Sequence, residues 1–274
     1  MRTGADRYAE MFVRLKGEER GAYIPFVMLC DPDEGASLAI LETLAANGAD
    51  ALELGIPFSD PVADGPVIQE AANRALAAGA TPERCFGVVR KFRAMHPDVP
   101  VGLLVYANLV VSRGVRAFYQ LAAQSGVDSV LVADAPLAAY ESFAPQAEMN
   151  GIAPVYIAPP NADERALREI AARSKGYVYF LGRSGVTGAE QEMQLPQADN
   201  IRILKEAGSA PVVVGFGISR PQHVRKAISS GADGAISGSA TVGIVARNLD
   251  DAERMKESLA AFTLEMAAAT RSLG

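Results

Sequence analysis

Eight apolar runs alternate with stretches of helical periodicity, and this alternation limits the possible folds more than any single motif does. The runs are residues 23–29, the segment opening at Ala51, then 101–106, 129–133, 153–158, 177–181, 211–216 and 234–236. Most lie some twenty-odd residues apart, about what a strand, a helix and two short loops need. The first run, Y-I-P-F-V-M-L, is almost continuously apolar, as a strand buried on both faces must be. Eight such units favour a closed parallel (β/α)8 barrel, with a doubly wound open sheet as the alternative. A length of 274 residues fits one barrel, although length alone also allows two small domains. No linker rich in Ser, Gly or Pro interrupts the chain and its composition does not shift, so a single domain over residues 1–274 is expected.

The intervening segments read as helices, some beyond the minimal barrel. Residues 7–15 place Tyr8, Met11, Phe12 and Leu15 on one face, an extra N-terminal helix that should cover part of the array. Asp33 offers an N-cap for a helix closed by Asn47-Gly48. Two helices, 67–77 and 82–95, fill the long interval after the second strand. The last helix, near 250–271, carries Met255, Leu259, Phe262 and Met266 on one stripe. Residues 182–197 have no clear period and are too polar for core, which makes them a candidate lid.

Hydrophobic residues make up 49% of the chain and charged residues 21%, enough to fill a core. A net charge of -6 without clustered Lys and Arg argues against nucleic-acid binding. Cys30 and Cys85 lie in different local contexts without metal-ligand spacing, so neither a disulfide framework nor a zinc site is indicated. His96 and His223 sit in helix-end surroundings that read as surface, and neither is assigned chemistry. There is no apolar signal core and no membrane-length apolar run, so a cytoplasmic, unanchored protein is expected.

The segment A-L-E-L-G-I-P-F-S-D-P-V-A-D-G-P, residues 51–66, delivers three carboxylates from a strand into a loop stiffened by Gly and Pro. Asp60 and Asp64 also fit ordinary turn or capping roles. Glu53 is harder to place as packing, because an unpaired buried carboxylate costs several kcal/mol or changes its pKa. In a barrel the loops after the strands gather on one face. Glu53, Asp60, Asp64, Tyr106, Asn108 and Asp134 would approach that mouth from one side. From the other come Tyr179, Gly185–Gly188, Gly215-Phe216-Gly217 and Ser237-Gly238-Ser239, with a short helix opening near Ala240. Backbone amides and a helix N-terminus converging there suit a phosphate on a small substrate. Nothing calls for a metal or an organic cofactor, and the G-x-G-x-x-G dinucleotide pattern is missing after the first strand.

The run L-E-L-G-I-P-F-S-D-P-V-A-D-G-P-V-I-Q, with Y-A-N-L, S-V-L-V-A-D, R-S-G-V-T-G-A-E, G-F-G-I-S and A-I-S-G-S-A in that order, closely resembles the tryptophan synthase alpha subunit family over nearly the whole chain. The resemblance implies a (β/α)8 barrel that cleaves indole-3-glycerol phosphate to indole and glyceraldehyde 3-phosphate, a lyase working by a retro-aldol reaction without a cofactor. It implies that Glu53 is the general acid/base and that Asp64 binds the indole N-H. Phe26, Leu104 and Ile236 match walls of the indole pocket, and Tyr179 matches a tyrosine beside the acid. Thr187 matches the loop threonine that orders Asp64, while Gly188, Phe216, Gly217, Gly238 and Ser239 match the phosphate site. Asp60 and Asn108 match positions facing a pyridoxal-phosphate beta subunit, the expected partner in a heterotetramer. One departure stands out: P-F-V-M-L-C-D-P places Met28 and Cys30 where the family usually has Thr and Gly. A stand-alone lyase releasing free indole, or a chain acting mainly as an allosteric partner of the beta subunit, are the alternatives.

Overall fold

The computed structural model describes residues 3–182 and 198–271. In chain order the first half contains α1 (Gly4–Gly17), β1 (Ala22–Met28), α2 (Glu34–Ala46), β2 (Leu52–Gly55), α3 (Pro66–Ala77), α4 (Pro82–Met95), β3 (Val101–Val105), α5 (Ala107–Arg113), α6 (Val115–Gln124) and β4 (Ser129–Val132). A 3-10 turn (Leu137–Ser142) leads to α7 (Ala144–Met149), β5 (Ala153–Pro154), β6 (Tyr156–Ala158), α8 (Glu164–Arg173) and β7 (Val178–Leu181). Then follow α9 (Ala198–Glu206), β8 (Val212–Gly215), α10 (Pro221–Ser229), β9 (Gly234–Ser237), α11 (Ser239–Ala246) and α12 (Ala252–Ala268).

All the strand pairs are parallel, in the order β5-β4-β3-β2-β1-β9-β8-β7-β6. The two edge strands of that order are consecutive in sequence. The run 153–158, read as one strand, is divided at Val155: β5 pairs with β4 on one side, and β6 pairs with β7 on the other. Val155 still donates its N-H to Val130 O at 3.1 Å, so one bent stave serves both edges and the sheet closes on itself. With β5 and β6 taken as that single stave, the eight expected runs form the (β/α)8 barrel. The departure from eight strands to nine has a geometric reason: closure makes this stave change neighbours partway along its length.

Helix boundaries follow local chemistry. Thr3 and Asp6 form a reciprocal capping box at the start of α1, and Asp33 accepts the Ala36 N-H at 2.9 Å at the start of α2. Pro66, Pro82 and Pro221 each sit at the first turn of a helix, where a missing N-H costs nothing. On α12 the buried stripe is Met255, Leu259, Thr263 and Met266; Phe262, expected on it, is only partly buried.

The N-terminal helix covers the floor of the barrel. Tyr8 reaches Ser129 at the first residue of β4, with 3.0 Å between hydroxyls, and Arg7 binds Asp128 at 2.7 Å. Asp128 also accepts the Val101 N-H at 2.8 Å, which ties α1 to the entry ends of two strands. Ser129, Tyr8 and Tyr177 crowd over Gly102, where a Cβ would lie 2.7 Å from Ser129 Oγ. Glycine at this position lets a polar cluster occupy the lower barrel. Cys30 and Cys85, unrelated in sequence context, are both buried with their sulfurs 3.7 Å apart. Cys30 has φ 61°, a left-handed conformation that accounts for a glycine at the matching family position. Among the described residues no helix is long and apolar enough to cross a membrane.

Candidate active site

The strand termini and the loops after them surround one cavity at the mouth of the barrel. Its walls are mostly aliphatic and aromatic. Phe26 comes from β1, Leu104 from β3, Ile157 from β6, Tyr179 from β7 and Ile236 from β9, so the barrel interior itself forms the pocket. Two carboxylates, Glu53 and Asp64, share this apolar space.

Glu53 sits in the middle of β2, where the alternation that buries Leu52 and Leu54 turns the acid to the opposite side, into the barrel. It is 1% exposed. Tyr177, just before β7, donates its hydroxyl to Glu53 Oε1 at 2.8 Å. Among the described residues no hydrogen-bond partner meets Oε2. Burial pushes the Glu53 carboxyl up to about 7, and the Tyr177 hydrogen bond pulls less strongly the other way. Near neutral pH such a group can both give and take a proton. The support continues downward, because the Tyr8 ring packs on Tyr177 with centroids 5.3 Å apart. The helix that covers the floor therefore stands beneath the acid.

Asp64 is carried by the Pro- and Gly-rich loop after β2. Its backbone N-H binds Pro61 O at 3.1 Å, and Gln69, one turn into α3, donates to its carbonyl at 2.7 Å. Burial pushes the Asp64 carboxyl up to about 6, opposed by a hydrogen bond from Tyr106. The same Tyr106 hydroxyl accepts the Ala63 N-H at 3.2 Å, and its ring stacks on Phe58 at 5.4 Å. One tyrosine at the end of β3 thus fixes both backbone and side chain of the acidic loop.

At the opposite rim the lining is backbone-rich: Gly217, Ile218 and Ser219 after β8, and Gly238, Ser239 and Ala240 opening α11. Phe216 and Gly217 adopt φ 67° and 81°, consecutive left-handed residues that turn the chain sharply over the cavity. The first amides of α11 point from a buried seat: Ser237 Oγ lies 2.9 Å from Thr241 Oγ1 and 2.6 Å from the Tyr23 hydroxyl. Uncapped helical amides favour an anion.

Phe26, Glu53, Asp64, Leu104, Tyr179, Phe216, Gly217, Ile236, Gly238 and Ser239, all expected from sequence, line this one cavity. Thr187 and Gly188 lie outside the described residues, as does the candidate lid from Arg183 onward. Asp60 and Asn108 are exposed and belong to the outer rim. Sequence does not single out Tyr177, Ile157 or Ser219, and it places Tyr106 at the mouth without a role. Tyr177 was the detectable one: it is two residues before Tyr179, and alternation along a strand sends both side chains to the same face. Asp134, also expected near the mouth, accepts the Ala107 N-H at 2.7 Å at the start of α5 and is absent from the cavity lining. At the departure from the family, Met28 packs with Phe26 over Gly55, where a Cβ would lie 2.8 Å from the Phe26 ring.

The family model described as Tryptophan synthase alpha chain matches residues 12–271. The tryptophan synthase alpha chain of Pectobacterium atrosepticum is 53% identical over 267 residues, covering 97% of this chain and 100% of the relative. That of Yersinia pseudotuberculosis serotype O:1b is 52% identical with the same coverage. Among solved structures, tryptophan synthase subunit alpha from Legionella pneumophila is similar with a TM-score of 0.86 and 28% identity, over 96% of this chain and 98% of the other. The tryptophan synthase a2b2 complex from Pyrococcus furiosus matches at a TM-score of 0.82 and 35% identity, over 91% and 99%.

Proposed function

The chain belongs to the tryptophan synthase alpha chain family, and we propose that it cleaves indole-3-glycerol phosphate to indole and D-glyceraldehyde 3-phosphate as the alpha subunit of a cytoplasmic α2β2 tryptophan synthase, folding as a single domain over residues 1–274. The observation that carries the site assignment is a buried carboxyl held near neutral pKa, Glu53, in the same apolar cavity as a second acid and facing an amide-rich rim.

In this reading the protonated Glu53 delivers its proton to indole C3. Asp64, ionised, accepts the ring N-H and stabilises the positive charge that develops on the ring. The Glu53 carboxylate then takes the proton from the hydroxyl on the carbon attached to C3. That O-H electron pair becomes the aldehyde C=O, the carbon-carbon bond breaks, and its electrons restore the neutral indole. Glu53 ends as it began, protonated, so no cofactor is consumed. Phe26, Leu104, Tyr179 and Ile236 enclose the ring; Phe216, Gly217, Gly238 and Ser239 hold the phosphate together with Gly188, and Thr187 orders Asp64.

A beta-subunit face is supported by apolar side chains beside the two polar rim residues. Val62, two residues from Asp60, is 74% exposed, and Val111, one turn from Asn108, is 56% exposed. The a2b2 assembly of the Pyrococcus furiosus relative supports the same arrangement.

The test is indole release from indole-3-glycerol phosphate by the purified chain, alone and mixed with a bacterial beta subunit. Turnover that rises on mixing is the expected result, with Asp64→Ala reduced by about 10²-fold or more. Fast turnover unchanged by the partner would favour a stand-alone lyase, and no turnover in either arm would reject the assignment.

A further inference from the structure

The loop that carries Phe216, Gly217, Ile218 and Ser219 is held under conformational strain. Phe216 at φ 67° is in a region that costs a non-glycine residue roughly 1–2 kcal/mol, so surrounding contacts must hold it there. Three contacts can be identified. The Phe216 ring meets Tyr179 edge-on at 6.3 Å, and Ile218 is buried at 3% exposure. The third lies at the far end of the loop, where Ser219 donates its backbone N-H to His223 Nδ1 at 3.2 Å, with the Ser219 hydroxyl 3.4 Å from the same nitrogen.

His223 is the third residue of α10, whose N-cap, Arg220, makes no side-chain cap hydrogen bond. The imidazole instead reaches back past the cap to the last loop residue, as the third residue of a capping box reaches back to the cap. Because Nδ1 accepts an N-H, the ring stands in the tautomer that leaves Nδ1 unprotonated. The Ser219 amide is thereby committed to the histidine, and His223 is absent from the cavity lining. What the contact fixes is the path of the preceding residues, whose backbone lines the rim opposite the acids. Amide donors bind an anion well only if their orientation is set beforehand.

We infer that His223 is a positioning residue for the phosphate-binding rim, pinning the end of the Phe216–Ser219 loop through the Ser219 N-H. This rests on the phosphate site proposed above. It also revises the sequence expectation of a surface histidine without a role.

The experiment compares the full-length chain with His223→Leu, which keeps bulk but has no acceptor, and His223→Asn, whose Oδ1 can accept the same N-H. Binding of sn-glycerol 3-phosphate is measured by calorimetry, turnover of indole-3-glycerol phosphate by indole release, and thermal midpoint for each protein. Expected for His223→Leu are rises of about five- to tenfold in Kd and KM, the loss of one hydrogen bond's worth of preorganisation, with kcat within about twofold. His223→Asn should restore both constants to within about twofold of the parent. A lowered midpoint with unchanged Kd and KM would reduce His223 to a helix cap and overturn the inference. Equal defects in both variants would overturn it too, because the acceptor would then be irrelevant. If the parent chain itself binds no glycerol phosphate, the phosphate-site reading fails and this inference goes with it.

Discussion

Replacing Glu53 with glutamine should inactivate the protein and, above neutral pH, make it more stable. A glutamate titrates at 4.5 when free, and burial raises Glu53 to about 7 in the folded protein. The native state therefore holds this proton more tightly than the unfolded chain does. The stability that results is fully present below pH 4.5 and is lost as pH rises through 7. At 1.36 kcal/mol for each pKa unit, the ionised native protein at pH 8 or above has given up about 3 kcal/mol that Glu53→Gln, which cannot ionise, retains. Urea titrations of both proteins at pH 5 and pH 8 measure this directly. Because pH 5 already lies above 4.5, the gap between them should widen by about 2.5 kcal/mol from pH 5 to pH 8, about 0.8 M in midpoint at a slope near 3 kcal/mol per M. Indole release at pH 8 should fall by about 10²- to 10⁴-fold in the same variant. A gap independent of pH, or a variant less stable than the parent at pH 8, would refute the assignment of a buried, proton-holding Glu53.

Tyr177→Phe removes the hydroxyl that binds Glu53 Oε1, so the Glu53 ionisation in the pH-rate profile should move upward and stability should drop by about 1–2 kcal/mol; an unmoved profile would remove Tyr177 from any role in setting that acid. Gly215→Ala introduces a Cβ that overlaps the Tyr179 hydroxyl and ring, and should cost about 1–3 kcal/mol with a several-fold loss in kcat/KM, read from thermal melts and initial rates. Cys30→Val puts a β-branched residue at φ 61° and should cost about 2 kcal/mol or more, whereas Cys30→Gly, the family's usual choice, should stay within about 1 kcal/mol of the parent because relief of strain offsets the lost packing on Cys85. Similar melting points for the two Cys30 variants would show that the backbone conformation there is unimportant.

The barrel and much of its site were legible because their signals are local. Alternation of apolar runs with helical periods depends on neighbours a few residues away, and Asp33, Pro66 and Pro82 mark helix starts through the chemistry of one turn. Glu53 was legible for a related reason, since a charged residue between Leu52 and Leu54 conflicts with its own strand unless it has a task. His223 shows the limit of such reading: its setting reads as surface, and nothing in G-I-S or P-Q-H-V says which amide the imidazole will meet.

What sequence alone determined, then, was the order of elements and the candidacy of Glu53, both encoded within a strand or a turn, whereas the choice of Asp64 over Asp60 came from the family resemblance. Tertiary structure decided the state of those carboxylates. Tyr177 is 124 residues from Glu53 in sequence, yet the β2 and β7 staves bring their side chains together across the barrel interior. Tyr106 reaches Asp64 only because β3 lies beside β2. The stave from Ala153 to Ala158 changes neighbours at Val155 only because the sheet must close. A pKa depends on burial and on partners distant along the chain, and closure depends on the tilt and register of every stave at once. Neither quantity is carried by the local periodicity from which a sequence can be read.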